Sequence, residues 1–98
     1  MEIVNRKISE LKAADYNPRR LTEKQADDLK ASITTFGKME PAIVNMNARR
    51  KNIIISGHQR LKVAASLGYK EWPCIEVNYS LKKEKELKKL KFNSTYDK

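Results

Sequence analysis

The 98 residues suffice for one domain with one hydrophobic core and leave no room for two. A net charge of +9, from 21 basic against 12 acidic side chains, favours polyanionic partners such as nucleic acid, a nucleotide or an anionic surface. One cysteine, Cys74, and one histidine, His58, exclude an intramolecular disulfide and a His/Cys zinc site, and no metal site is expected. No stretch reads as a signal peptide or a membrane span, so the chain is expected in the cytoplasm, with no membrane partner.

Ile3, Ile8 and Leu11 mark a loosely alternating segment from Val4 to Leu11 that reads as a short edge strand. A turn follows at Asp15-Tyr16-Asn17-Pro18-Arg19-Arg20, because Pro18 fixes its own φ and biases Asn17 toward an extended conformation. Thr22, with Gln25 three residues on, forms a capping box, and Ala26, Leu29, Ile33 and Phe36 recur at helical spacing up to Gly37. Pro41 then opens a strand, 42–46, and Asn47 to Lys51 make the turn into a second one, 52–56. Its three consecutive isoleucines suit a strand covered on both faces.

Gly57 breaks that strand, and a helix is expected from His58 to Leu67 on the stripe Leu61, Ala64, Ala65 and Leu67, ended by Gly68. A last strand runs from Pro73 to Tyr79, with the Ile75, Val77, Tyr79 face expected to be buried. Ser80 caps a final lysine-rich helix, Leu81 to about Phe92, whose Leu81, Leu87 and Leu90 make a thin apolar stripe. The domain is expected over 1–93, with 94–98 as a tail. An α+β fold follows, with a short mixed sheet of about four strands and three helices.

Chemistry concentrates where the isoleucine strand meets its helix, at Ser56-Gly57-His58-Gln59-Arg60. The first N–H groups of a helix have no intrahelical acceptor, and the helix dipole adds roughly half a positive charge there. A phosphate suits such a place, and Arg60 in the first turn adds a planar, doubly donating cation. Ser56 and Gln59 offer further hydrogen bonds. The competing reading is a plain capped helix with an exposed arginine, His58 being a first-turn residue with no catalytic task. As a catalytic group His58 would be a general acid or base. Asn17, Pro18, Arg19 and Arg20, a stiffened turn with two arginines, form a second candidate for clamping an anion.

Taken in order, the Asn17-Pro18-Arg19 turn, the helix ending in Phe36-Gly37, the segment Glu40-Pro41-Ala42-Ile43-Val44 and the run from Ile53 through Gly57-His58-Gln59-Arg60 to Ala65 resemble the ParB/sulfiredoxin superfamily. The stretch Leu67 to Val77 continues the likeness, which covers about residues 3 to 93. The resemblance implies that the Gly57-x-x-Arg60 turn binds nucleotide phosphates, CTP or ATP with Mg²⁺, and that Asn17-Pro18-Arg19 lies beside the same pocket. Sulfiredoxins carry their catalytic cysteine directly after that glycine, where this chain has His58, so sulfinic acid reduction is not implied. Segregation-type ParB proteins carry Glu-Arg where this chain has His58-Gln59, and continue into a helix-turn-helix for which these residues leave no length. The His-Gln pair looks more like ParB-like modules of phages and mobile elements, which accompany DNA-acting domains.

Three functions follow from these residues. One is a nucleotide-binding module of a DNA-associated protein, which could form a homodimer. Another is an enzyme, a nuclease or small-molecule phosphotransferase, with His58, Glu23 or Asp15 as the local candidates for a base. The third is a plain DNA-binding or docking module using Lys82, Lys85, Lys88 and Lys89 on the last helix.

Overall fold

The structure, a computed structural model, describes residues 3–16, 21–38 and 40–96, without the side chains of 88 and 90–96. Its elements in chain order are β1 (Ile3–Lys7), β2 (Lys12–Ala13), α1 (Glu23–Phe36), β3 (Ala42–Asn45), β4 (Ile53–Ser56), α2 (His58–Ser66), β5 (Glu71–Val77) and α3 (Leu81–Tyr96). The five strands form one mixed sheet in the order β1-β5-β3-β4-β2, antiparallel at β1–β5 and β3–β4, parallel at β5–β3 and β4–β2.

The expected α+β class and three helices are present, and the sheet has one strand more than the sequence suggested. The single edge strand read from Val4 to Leu11 is two strands on opposite edges. A short 3₁₀ turn, Ile8–Glu10, closed by Leu11 N–H donating to Ile8 C=O, redirects the chain from the β5 edge to the β4 edge.

Local chemistry accounts for most element ends. Thr22 Oγ1 accepts from Gln25 N–H, and Gln25 Oε1 accepts from Thr22 N–H, completing the capping box of α1. Gly37 closes α1 with φ +72 and its N–H on Ile33 C=O. Ser80 Oγ accepts from Lys83 N–H at the start of α3.

One sheet face, carrying Ala42, Val44, Ile54, Trp72 and Cys74, packs under Ile33 of α1 and Leu61 and Ala64 of α2. The opposite face carries Asn45 and Ile55, and α3 reaches it through Glu84. Two expectations about burial are corrected here. In β5 the buried residues are Trp72 and Cys74, both 0 % exposed, while Ile75 and Val77 are only partly covered. Pairing of Ala42 with Cys74 puts those two residues on the helix-covered face with the indole, and the largest side chain decides which face is sealed. In α1 the fully buried part of the stripe is Ile33, with Leu29 partly covered and Phe36 64 % exposed.

Candidate functional site

Ile53, Ile54 and Ile55 hold β4 inside the sheet, between central β3 and the short edge strand β2, so the turn that follows starts from a fixed point. Gly57 is the N-cap of α2 in the left-handed region, φ +94 and ψ +14, a conformation that costs a side-chain-bearing residue about 1–2 kcal/mol. Its C=O accepts the first helical bond, from Leu61 N–H at 2.9 Å. Leu61 and Ala64, 1 % and 0 % exposed, press the helix onto the sheet and fix where its N-terminus points. Gly57 itself brings no side chain to cap this helix, whose first turn holds no acid to offset the dipole.

Arg60 folds back over that N-terminus. Its Nη1 stands 2.8 Å from where a Cβ on Gly57 would be, and Ala42 Cβ and Cα lie 3.2 and 3.3 Å from the same point. The space left by the missing side chain therefore receives the guanidinium, with Ala42 of the neighbouring strand as its floor. The glycine is needed for φ and again for this close approach. Arg60 Nη2 donates to Glu40 Oε2 at 2.7 Å. The arginine is thus aimed at the turn and ion-paired at once. Its carboxylate partner is 73 % exposed, and an exposed pair of this kind is worth about 0–1 kcal/mol, a small barrier to exchange against another anion.

Glu40 is nonetheless placed by the core. The fully buried Trp72 donates from Nε1 to the main-chain oxygen of Glu40 at 2.8 Å, and Pro41 fixes the chain immediately after it. Tyr69 stacks edge-on against the same indole, 5.8 Å between centroids. Sequence reading missed Glu40 as a partner of Arg60, since 20 residues separate them and no local pattern joins them.

Ser56, His58 and Gln59 are half-buried around the turn, with Ser56 paired across the sheet to Ile43. The candidate clamp Asn17, Pro18, Arg19 and Arg20 lies outside the described residues. Of the suggested bases, Glu23 is exposed at the start of α1, and Asp15 approaches Arg50 at 3.7 Å in a different cluster. Lys82, Lys85 and Lys89 are exposed on α3, Lys85 with its Nζ 5.2 Å from the Tyr16 ring centre, while the Lys88 side chain lies outside the described residues. Among the described residues no group of three His, Cys, Asp or Glu side chains could hold a metal ion. No helix there is long and apolar enough to cross a membrane.

A second polar cluster secures α3. Glu84 is 0 % exposed; its carboxylate accepts from Arg50 Nη2 at 3.0 Å, from Asn45 Nδ2 at 2.7 Å and from the Tyr16 hydroxyl. Burial pushes the Glu84 carboxyl up, but the hydrogen bonds from Arg50, Tyr16 and Asn45 outweigh it and hold it below the usual carboxylate range. Burial first, then the hydrogen bond to Glu84 and its charge, raises the Tyr16 hydroxyl well above its ordinary value. Asn45 also donates to Tyr79 C=O and accepts from Tyr79 N–H and Asn47 N–H, so the strand that borders the glycine turn also anchors α3. Of the thin leucine stripe of α3, Leu81 is 41 % exposed, Leu87 is half-buried and the Leu90 side chain lies outside the described residues; among the described residues of this helix the buried one is Glu84. The signal was in the spacing, since Glu84 sits midway between Leu81 and Leu87 on that stripe.

A mixed five-stranded sheet between helices, with a strand-to-helix turn led by glycine and answered by an arginine three residues later, defines a ParB-type α+β domain. The model of the ParB N-terminal domain family matches residues 1–91, and the chain belongs to that family. Over 75 residues it is 33 % identical to the probable chromosome-partitioning protein ParB of Vibrio cholerae serotype O1 (strain ATCC 39315 / El Tor Inaba N16961), covering 76 % of this chain and 26 % of that protein. It therefore spans about a quarter of the length of this curated relative.

Among solved structures, the C-terminally truncated ParB of Caulobacter crescentus complexed with CTP-γ-S matches with a TM-score of 0.79 at 23 % identity, over 90 % of this chain and 51 % of that one. The same protein complexed to the centromeric parS site matches with a TM-score of 0.65 at 25 % identity, over 80 % and 42 %. A free serine kinase in complex with AMP matches with a TM-score of 0.65 at 21 % identity, over 81 % and 32 %. The kinase and CTP-γ-S likenesses establish the shared fold.

Proposed function

We propose that the chain is a nucleotide-binding module of a DNA-associated protein, holding phosphates at the N-terminus of α2 between Gly57 and Arg60. The observation that carries this reading is the Arg60 guanidinium, folded over a left-handed glycine that, as N-cap of α2, brings no capping side chain. A phosphate there gains the helix dipole, first-turn N–H groups and a planar cation together. Ser56, His58 and Gln59 line the same turn and supply side-chain hydrogen bonds. Proteins of this fold are known in complex with CTP-γ-S and with AMP, which supports a nucleoside phosphate, CTP or ATP with Mg²⁺, as ligand. By the family resemblance, Asn17, Pro18, Arg19 and Arg20 are further candidates for phosphate contact.

The complex of the Caulobacter protein with parS supports a DNA-linked setting; in this reading the module works in the cytoplasm, and DNA contact comes from accompanying segments and from the α3 lysines. His58 and Gln59 in the middle of the motif favour a module of phage or mobile-element type over a segregation type. The test is a thermal-unfolding panel of nucleoside mono-, di- and triphosphates with Mg²⁺. A ligand at a hundred times its dissociation constant adds about 2.7 kcal/mol, and so a rise of roughly 10 °C or more for a domain of this size. No shift with any nucleotide at millimolar concentration refutes the reading.

A further inference from the structure

Glu40 stands at the proposed phosphate site as an anion of the protein's own. The α2 N-terminus carries the positive end of the helix dipole and, folded onto it, the charge of Arg60, with no acid in the first turn. Left alone, a guanidinium would be repelled from such a place. The carboxylate that balances it comes from another part of the chain, 2.7 Å from Arg60 Nη2, on a residue whose main chain is tied to buried Trp72 and followed by Pro41. Core contacts thus fix where this acid starts, while its side chain remains 73 % exposed and able to swing into solvent.

We infer that Glu40 is an internal competitor for Arg60, setting the affinity of the site by obliging each incoming phosphate to displace its carboxylate from the guanidinium. The inference rests on the nucleotide reading above and adds an affinity-setting residue to it. The mechanism is an exchange of anions on one cation: the Arg60–Glu40 hydrogen bond breaks, an Arg60–phosphate bond forms, and the released carboxylate is rehydrated. Because the pair is exposed, the exchange reduces affinity without abolishing it, by the two- to fivefold that an ion pair of up to about 1 kcal/mol represents.

Isothermal titration of Mg·CTP, Mg·ATP and inorganic triphosphate into the wild type, Glu40→Gln and Glu86→Gln tests this. Glu40→Gln keeps the side-chain shape and the main-chain oxygen used by Trp72, so the fold is retained, and circular dichroism melting verifies it. Glu86→Gln removes the same charge from an exposed site on α3. The expected result is two- to fivefold tighter binding by Glu40→Gln, with a clearly smaller change in Glu86→Gln. Equal tightening in both variants means diffuse charge and overturns the inference. Unchanged or weaker binding in Glu40→Gln also overturns it, making Glu40 a holder of Arg60 or of the ligand's metal. If neither the wild type nor Glu40→Gln binds any of the three ligands, the nucleotide reading itself falls, and this inference with it.

Discussion

Replacing Gly57 with alanine separates the two reasons this position is a glycine. Gly57 and Gly68 both have strongly positive φ, +94 and +96, so alanine at either carries a left-handed cost of about 1–2 kcal/mol. At Gly68 a Cβ meets nothing within 4 Å, and the cost stops there. At Gly57 it meets Ala42 at 3.2 and 3.3 Å, closer than ordinary van der Waals contact, and Arg60 Nη1 at 2.8 Å. The arginine terminus can move away, but the strand backbone cannot, and overpacking of this kind adds about 1–3 kcal/mol. Gly57→Ala is therefore expected to lose about 2–5 kcal/mol in urea unfolding at unchanged m-value, against about 1–2 kcal/mol for Gly68→Ala. Nucleotide binding should fall in Gly57→Ala alone, because the displaced guanidinium no longer covers the helix N-terminus. Equal losses of stability in the two variants, with ligand affinity kept in Gly57→Ala, would refute the close-approach argument and leave Gly57 a plain turn residue.

The remaining predictions concern the parts that hold the site. Glu84→Ala strands the Arg50 charge beneath α3 and should cost about 3–5 kcal/mol in chemical unfolding, with a smaller loss for Glu84→Gln. The Glu84 carboxyl is held below its ordinary 4.5, so its contribution is complete above about pH 4.5 and disappears as pH falls through the folded value. Acid titration followed by circular dichroism should therefore show a stability loss that flattens in Glu84→Gln. Thr22→Ala removes the capping-box acceptor of α1 and should cost about 1 kcal/mol, read as a drop of roughly 4–8 °C in melting temperature. Burial pushes the Cys74 thiol up to about 11, so iodoacetamide at pH 8 should leave it unmodified until denaturant is added.

Local chemistry made much of this fold legible. The Thr22–Gln25 box, the Ser80 cap, the glycine that ends β4 and the one that follows α2 are each written in a few adjacent residues, and each stands where the pattern puts it. What the pattern could not supply were decisions made by distant partners. Whether Ile3 to Ala13 forms one strand or two depends on which edges of the sheet remain to be paired. Alternation in β5 offers two apolar faces, and only the helices lying over Trp72 choose between them. Gly57 and Arg60 were readable as a pair because a helix brings positions three apart together. Glu40, reaching Arg60 from before β3, depends on the tertiary fold, and so does the burial of an acid at position 84.

The central claim is that phosphate sits on the first turn of α2 under Arg60. Titration of ¹⁵N-labelled protein with a Mg²⁺–nucleoside triphosphate examines that turn amide by amide. The account predicts saturating shifts largest at residues 57–60 and lost in Arg60→Ala while the rest of the spectrum is unchanged. Shifts confined to α3, or equal in the wild type and Arg60→Ala, would contradict it.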